Sequence, residues 1–175
     1  KQIVMEDPVV VEFEDVTHAD KYYVYGYGQL QACCEKAGEA IRLADSYSGV
    51  VVDATQNYVW ERGNRDLQYT ITDKDDVIQK IADRLKQKEA PVDIMKSLND
   101  DRYLDLTGCE TEELLYIINQ GSPVIGMLNA ENSVILIGYT DTVVIYVDPE
   151  TGERSSVTYE EMDQMTQGSG NTYIG

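Results

Sequence analysis

Histidine is almost missing from this sequence: His18 is the only one. The three cysteines, Cys33, Cys34 and Cys109, are odd in number, and two of them are adjacent. That pattern makes neither a disulfide framework nor any zinc-ligand spacing, so the sequence points to no metal and to no other cofactor. Long hydrophobic runs are lacking too. The longest, such as Val134-Ile135-Leu136-Ile137, have strand length, far short of the ~20 apolar residues of a membrane span, so no membrane insertion is expected. Basic residues are few, 14 against 32 acidic, for a net charge of −18. Both halves of the chain share the acidic excess, which repels polyphosphate and excludes nucleic acid as a partner. An anionic bilayer is repelled likewise, and the charge reads as a well-solvated surface. Lys1 to Pro8 holds no signal-peptide apolar stretch, and the chain opens on Lys1 rather than Met. A processed chain or a fragment is the expectation.

What is present is an ordinary apolar fraction, 42%, and 13 tyrosines against one phenylalanine. The expected class is α+β, in two modules: residues 1–70 and residues 71–175. The first reads strand, strand, helix, strand, strand. Val9 to Phe13 is one apolar run, and Lys21 to Tyr27 alternates, with Tyr23, Tyr25 and Tyr27 on one face. Leu30, Cys33 or Cys34, Ala37, Ala40, Ile41 and Ala44 recur at helical spacing on a narrow face of small residues. Val50-Val51-Val52 and Tyr58-Val59-Trp60-Glu61 return as strands around a turn at Ala54 to Asn57. Tyr23, Tyr25, Tyr27 and Trp60 are the candidate binding residues, since a Tyr-rich sheet face can stack on sugars or peptides.

In the second module Thr72 and Asp75 have capping-box spacing ahead of a helix expected over Asp73 to Lys88, with Val77, Ile78, Ile81 and Leu85 inward. Short helices are expected over Val92 to Leu98 and Tyr159 to Met165, and a longer one over Glu110 to Gln120 that stops at Gly121. Strands Pro123 to Leu128, Val134 to Tyr139 and Val143 to Val147 have connectors too short for parallel crossovers, so they form antiparallel hairpins. Asp148 to Gly152 is a tight turn, and Thr172 to Ile174 closes the module as a strand.

Gly121-Ser122-Pro123-Val124-Ile125, then Val134 to Gly138-Tyr139, then Val147-Asp148-Pro149 with Gly152, together resemble the C-terminal half of papain-like bacterial cysteine peptidases related to the double-glycine leader peptidases. Gly170-Asn171 before an apolar strand fits the same pattern. The resemblance runs from Ile71 onward and implies a papain-like module with an antiparallel sheet. It also implies a site whose histidine opens the Gly-Tyr strand, where this chain has Asn132-Ser133. Asp148 matches the acid or amide that orients that histidine. The family's nucleophile opens the first long helix, where this chain has Asp73-Lys74-Asp75-Asp76. A hydroxyl at Ser133 takes no proton from a thiol near neutral pH, so two of the three catalytic positions are vacant.

Cys109, in Thr107-Gly108-Cys109-Glu110 ahead of a helix, superficially matches the Gly-Cys that opens a catalytic helix in that family. His18 is the only base available to it and precedes every cysteine, the reverse of the papain-like order. Gly168-Ser169-Gly170 lacks the setting of a nucleophile elbow, and the Asp-rich turns lack the Gly and Glu of a calcium loop. The first module resembles, more weakly, the SPOR (sporulation-related repeat) peptidoglycan-binding domain. Three readings follow: a non-catalytic peptidase-like domain of a bacterial secreted or cell-surface protein, binding a peptide or cell-wall component; an active cysteine peptidase using Cys109 and His18; or a structural spacer. The extracellular or envelope location is implied by the resemblance.

Overall fold

The computed structural model describes residues 21–175, so the expected strand over Val9 to Phe13 and the residue His18 lie outside it. The chain divides into two compact units, the second beginning at Arg65. Among the described residues both units are built of helices with antiparallel sheet, an α+β architecture. No helix among these residues is long and apolar enough to cross a membrane.

The first unit runs β1 (Tyr22–Gly26), β2 (Gln29–Cys34), α1 (Ala37–Tyr47), β3 (Val50–Asp53) and β4 (Tyr58–Glu61), in sheet order β2-β1-β3-β4. Leu30, Cys33 and Cys34 therefore lie on a strand and not on the expected helix. The reason is the two-residue turn Tyr27-Gly28, whose φ angles of 56° and 73° belong to the hairpin turn that folds β2 straight back on β1. Helical spacing is real only from Ala37, where Ala37, Ala40, Ile41 and Ala44 are all fully buried. Their small side chains let α1 lie close against the face that carries Val24, Val51 and Trp60, which the strand register aligns. Gly49 ends this helix-to-strand passage, and a β-carbon there would stand 2.2 Å from the Tyr25 carbonyl oxygen.

The second unit contains β5 (Tyr69–Thr70), α2 (Val77–Lys86), α3 (Pro91–Leu98), α4 (Thr111–Asn119), β6 (Val124–Met127), β7 (Ser133–Tyr139), β8 (Val143–Val147), β9 (Arg154–Thr158), α5 (Tyr159–Met165) and β10 (Tyr173–Ile174). The sheet order is β10-β6-β7-β8-β9, and β5 continues the line of β6 along the same side of β7. This pairing of Tyr69 and Thr70 with Tyr139 and Gly138 draws residues 65–70 into the second unit, so the division falls six residues ahead of the expected 70/71 boundary. Residues 104–108 run along the outer side of β10 through Leu104–Gly175, Leu106–Tyr173 and Gly108–Asn171 backbone bonds.

α2 starts later than its sequence pattern suggests. Asp76, at φ 55°, is its N-cap without a side-chain bond, and the Thr72–Asp75 box does not form. The Asp73 carboxylate does that work instead, accepting the Val77 N–H at 2.7 Å and the Ile78 N–H at 3.1 Å. β9, unanticipated from sequence, pairs with β8 over five positions after the Asp148 turn.

β7 is the axis of this unit, and Gly138 is its tightest point. A β-carbon at Gly138 would lie 2.7 Å from the Tyr69 carbonyl oxygen and 2.9 Å from the Thr70 hydroxyl. Gly138→Ala is expected to push β5 off β7 and to lower stability by about 1–3 kcal/mol. Urea unfolding of the full chain measures this as a fall in midpoint.

Candidate functional site

The four aromatic residues proposed to bind a ligand do not share one exposed face. Tyr23 and Trp60 are 2% and 3% exposed and belong to the core of the first unit. Tyr23 packs with Val52, Tyr25, Leu30 and Ala54, whereas Trp60, opposite Val51, is on the other side of the sheet. Tyr25 is half-buried. Tyr27 alone stands out, 79% exposed on the hairpin turn, with its ring edge-on to Tyr47 at 6.0 Å. β1 ends at Gly26, so Tyr27 belongs to the turn and not to the strand face expected to carry it with Tyr23 and Tyr25. The sequence pattern carried no information on how deeply each of these residues is buried.

In the second unit the positions matched to a peptidase site fall at opposite ends of β7. Ser133 opens β7, opposite Met127. Asp148 follows Val147, whose partner is Ile135, so it lies at the same end. Its carboxylate accepts the Glu150 N–H at 2.9 Å, and its backbone N–H and carbonyl bond Glu153 and Gly152, which makes it the organiser of the β8–β9 turn. The segment entering α2 leaves the sheet at the other end, where the Ile71 N–H bonds the Ile137 carbonyl at 2.9 Å. Four residues of strand, ~13 Å, separate Ile137 from Ser133. It is the C-terminal end of α2 that returns toward Ser133, with the Lys88 ammonium 3.2 Å from the Glu131 carbonyl.

Cys109 does not join Ser133 either. It lies at the end of the segment that flanks β10, and β10, β6 and β7 follow in order, three strand spacings or ~14 Å across the sheet. Cys109 is 1% exposed and directly precedes Glu110, the N-cap of α4. The Glu113 carboxylate accepts the Glu110 N–H at 2.9 Å, completing a capping box in which Cys109 and Leu114, both buried, occupy the positions of a hydrophobic staple. All three cysteines are thiols. On β2, burial together with Glu39 and Cys33 raises the Cys34 thiol above its ordinary pKa, which holds it neutral.

Beside Cys109 lies a partly buried polar cluster that no local sequence signal announces. Asp163, on α5, accepts both the backbone N–H and the hydroxyl of Thr111 at 2.7 Å, capping α4 from a helix 52 residues away. Thr166 and Tyr173 share a hydroxyl–hydroxyl bond of 2.9 Å, and the Asn171 amide donates to the Thr166 hydroxyl at 2.8 Å. These bonds tie α4, α5 and β10 together. Burial is the main cause that lifts the Tyr173 phenol above its ordinary pKa, while bonds to Thr111 and Thr166 oppose the rise.

A cavity of about 310 Å³ opens instead at the start of α2, at the end of β7 away from Ser133. Ile71, Val77, Met95, Leu98 and Pro123 form its apolar wall, and Asp73, Lys74, Asp75 and Asn99 its polar one. Among the described residues no group of three His, Cys, Asp or Glu side chains is arranged to hold a metal. No family model, no curated protein and no solved structure matches this chain.

Burial also raises the phenols of Tyr139 and Tyr159. A group held protonated by the fold contributes stability below its unfolded value, here near pH ~10, and that contribution is lost as pH rises through the raised folded value. Absorbance titration of the phenols is therefore expected to show at least three late components, with unfolding following them. Tyr173→Phe removes one late component and costs about 0.5–1.5 kcal/mol through its lost hydroxyl bonds.

Proposed function

We propose that this chain is a non-catalytic, peptidase-like domain of a bacterial secreted or cell-surface protein that binds a peptide or cell-wall component. In this reading the order α4, β6, β7, β8 and the Asp148 turn keeps a papain-like arrangement in the C-terminal half, while the reacting groups are gone. What supports the reading is the placement of two of the matched positions. The start of α2 holds a carboxylate whose oxygens are bound to helix N–H groups, Ser133 stands where an imidazole is required, and a strand length separates them. A carboxylate at the positive end of a helix stabilises it, but it replaces the thiolate that the same end would activate.

Cys109 gives the competing peptidase reading its only nucleophile in this unit. Its burial beneath a capping box favours a packing role, since a catalytic thiol must meet both a base and a substrate carbonyl. The envelope location rests on the resemblance and enters as part of the proposal. A binding domain that keeps a peptidase-like architecture needs only a cleft and a stable sheet, and the cavity at the start of α2 supplies the cleft.

Iodoacetamide alkylation across pH, followed by mass spectrometry on the wild type and Cys109→Ala, tests this. Cys109 is expected to be protected in the folded chain and to react only on unfolding, and no peptide hydrolysis is expected. Rapid modification of the folded chain, titrating well below the ~8.5 of an ordinary thiol and abolished in His18→Ala, would establish the peptidase reading in its place.

A further inference from the structure

The cavity at the start of α2 exists because β5 and β6 lie end to end along β7. Ile71 leaves the sheet there and Pro123 enters it, and neither continues across the gap. Met95 and Leu98 of α3 and Val77 of α2 line it as well. At about 310 Å³ it sits at the small end of ligand sites, enough for one long side chain with a little flanking backbone and too small for a folded partner.

Its charge selects the occupant. Two carboxylates, Asp73 and Asp75, face one ammonium, Lys74, in a chain of net charge −18. The first-turn N–H groups of α2, which would otherwise draw an anion, are already bound by Asp73. An anionic ligand would therefore meet carboxylates and no available donor. Asp75 differs from Asp73: it is exposed, and among the described residues it has no hydrogen bond or ion pair. An apolar wall beside a carboxylate that makes no ion pair matches a side chain with an aliphatic stem and a cationic head.

We infer that this cavity takes a lysine or arginine side chain from a bound peptide. Its methylenes lie against Ile71, Val77, Leu98 and Pro123, and its charge meets Asp75. The inference rests on the reading of the domain as a peptide binder and narrows it to cationic segments.

Fluorescence anisotropy with the full chain tests it, using dye-labelled alanine-rich peptides that carry one central lysine or arginine. Matched peptides carry norleucine or citrulline in its place. The cationic peptides are expected to saturate binding and to weaken as salt rises, and the neutral ones to bind about three- to tenfold more weakly. Asp75→Asn, at an exposed position, is expected to cause the same loss with an unchanged unfolding midpoint. Leu98→Lys, which places an internal stem and ammonium in the cavity, is expected to abolish binding. Equal binding of cationic and neutral peptides, wild-type affinity in Asp75→Asn, or saturation by a wall glycan alone would overturn the inference. Failure of every peptide to bind would overturn it together with peptide binding, while Cys109 protection would still separately support the non-catalytic reading.

Discussion

The second unit depends on the burial of β7 from both sides. Val134, Ile135, Leu136, Ile137 and Tyr139 are at most 3% exposed, and the run has no polar alternation that would leave one face to water. Each fully buried aliphatic side chain contributes about 1.5–3 kcal/mol, so this one strand outweighs any single polar contact in the unit. A strand buried on both faces must also have both edges paired. β8 takes one edge, and β6 and β5 divide the other between them. The Tyr139 hydroxyl is satisfied by the Asp66 carbonyl at 2.7 Å, which fixes the chain entering the unit to the end of the same strand.

That division of one edge between two short strands gives the molecule its functional geography. One end of β7 carries Ser133 and the Asp148 turn. The other carries the junction of β5 and β6, the start of α2 and the cavity. In a peptidase of the kind the sequence resembles, nucleophile and base must lie within hydrogen-bonding reach, and here a fully packed strand lies between the two positions. Helix α4 spans the same sheet, and its N-terminus is fixed by Asp163, Glu113 and a buried Cys109. Packing requirements alone account for each of these groups.

Much of this was legible from sequence, and the failures have identifiable causes. Val134 to Tyr139 and Val143 to Val147 read correctly because apolar runs of strand length joined by short polar turns admit little else, and Gly121 marked the end of α4 through its left-handed φ of 90°. The segment from Leu30 to Cys34 misled because the three- and four-residue spacing of the helix from Ala37 was extended back across the break at Glu35-Lys36 into β2. Arg154 to Thr158 escaped notice because an exposed edge strand needs no apolar period; its stability comes from β8. The cluster of Thr111, Asp163, Thr166 and Tyr173 joins positions up to 62 residues apart, which no local pattern encodes. For the candidate site, no local sequence pattern announces the cavity, whose walls come from three separate segments, residues 71–77, 95–99 and 121–123.

The separation of the matched positions along β7 is the claim on which the functional account stands. A disulfide-trapping measurement tests it most directly, with Thr72→Cys and Ser133→Cys introduced together after the native cysteines are replaced by alanine. Cysteines whose Cα atoms are more than about 7 Å apart cannot be bridged without moving the backbone. The account predicts that mild oxidation of the folded chain leaves both thiols open. Quantitative closure of that disulfide in a chain that stays folded would place the two positions in one cleft and contradict it.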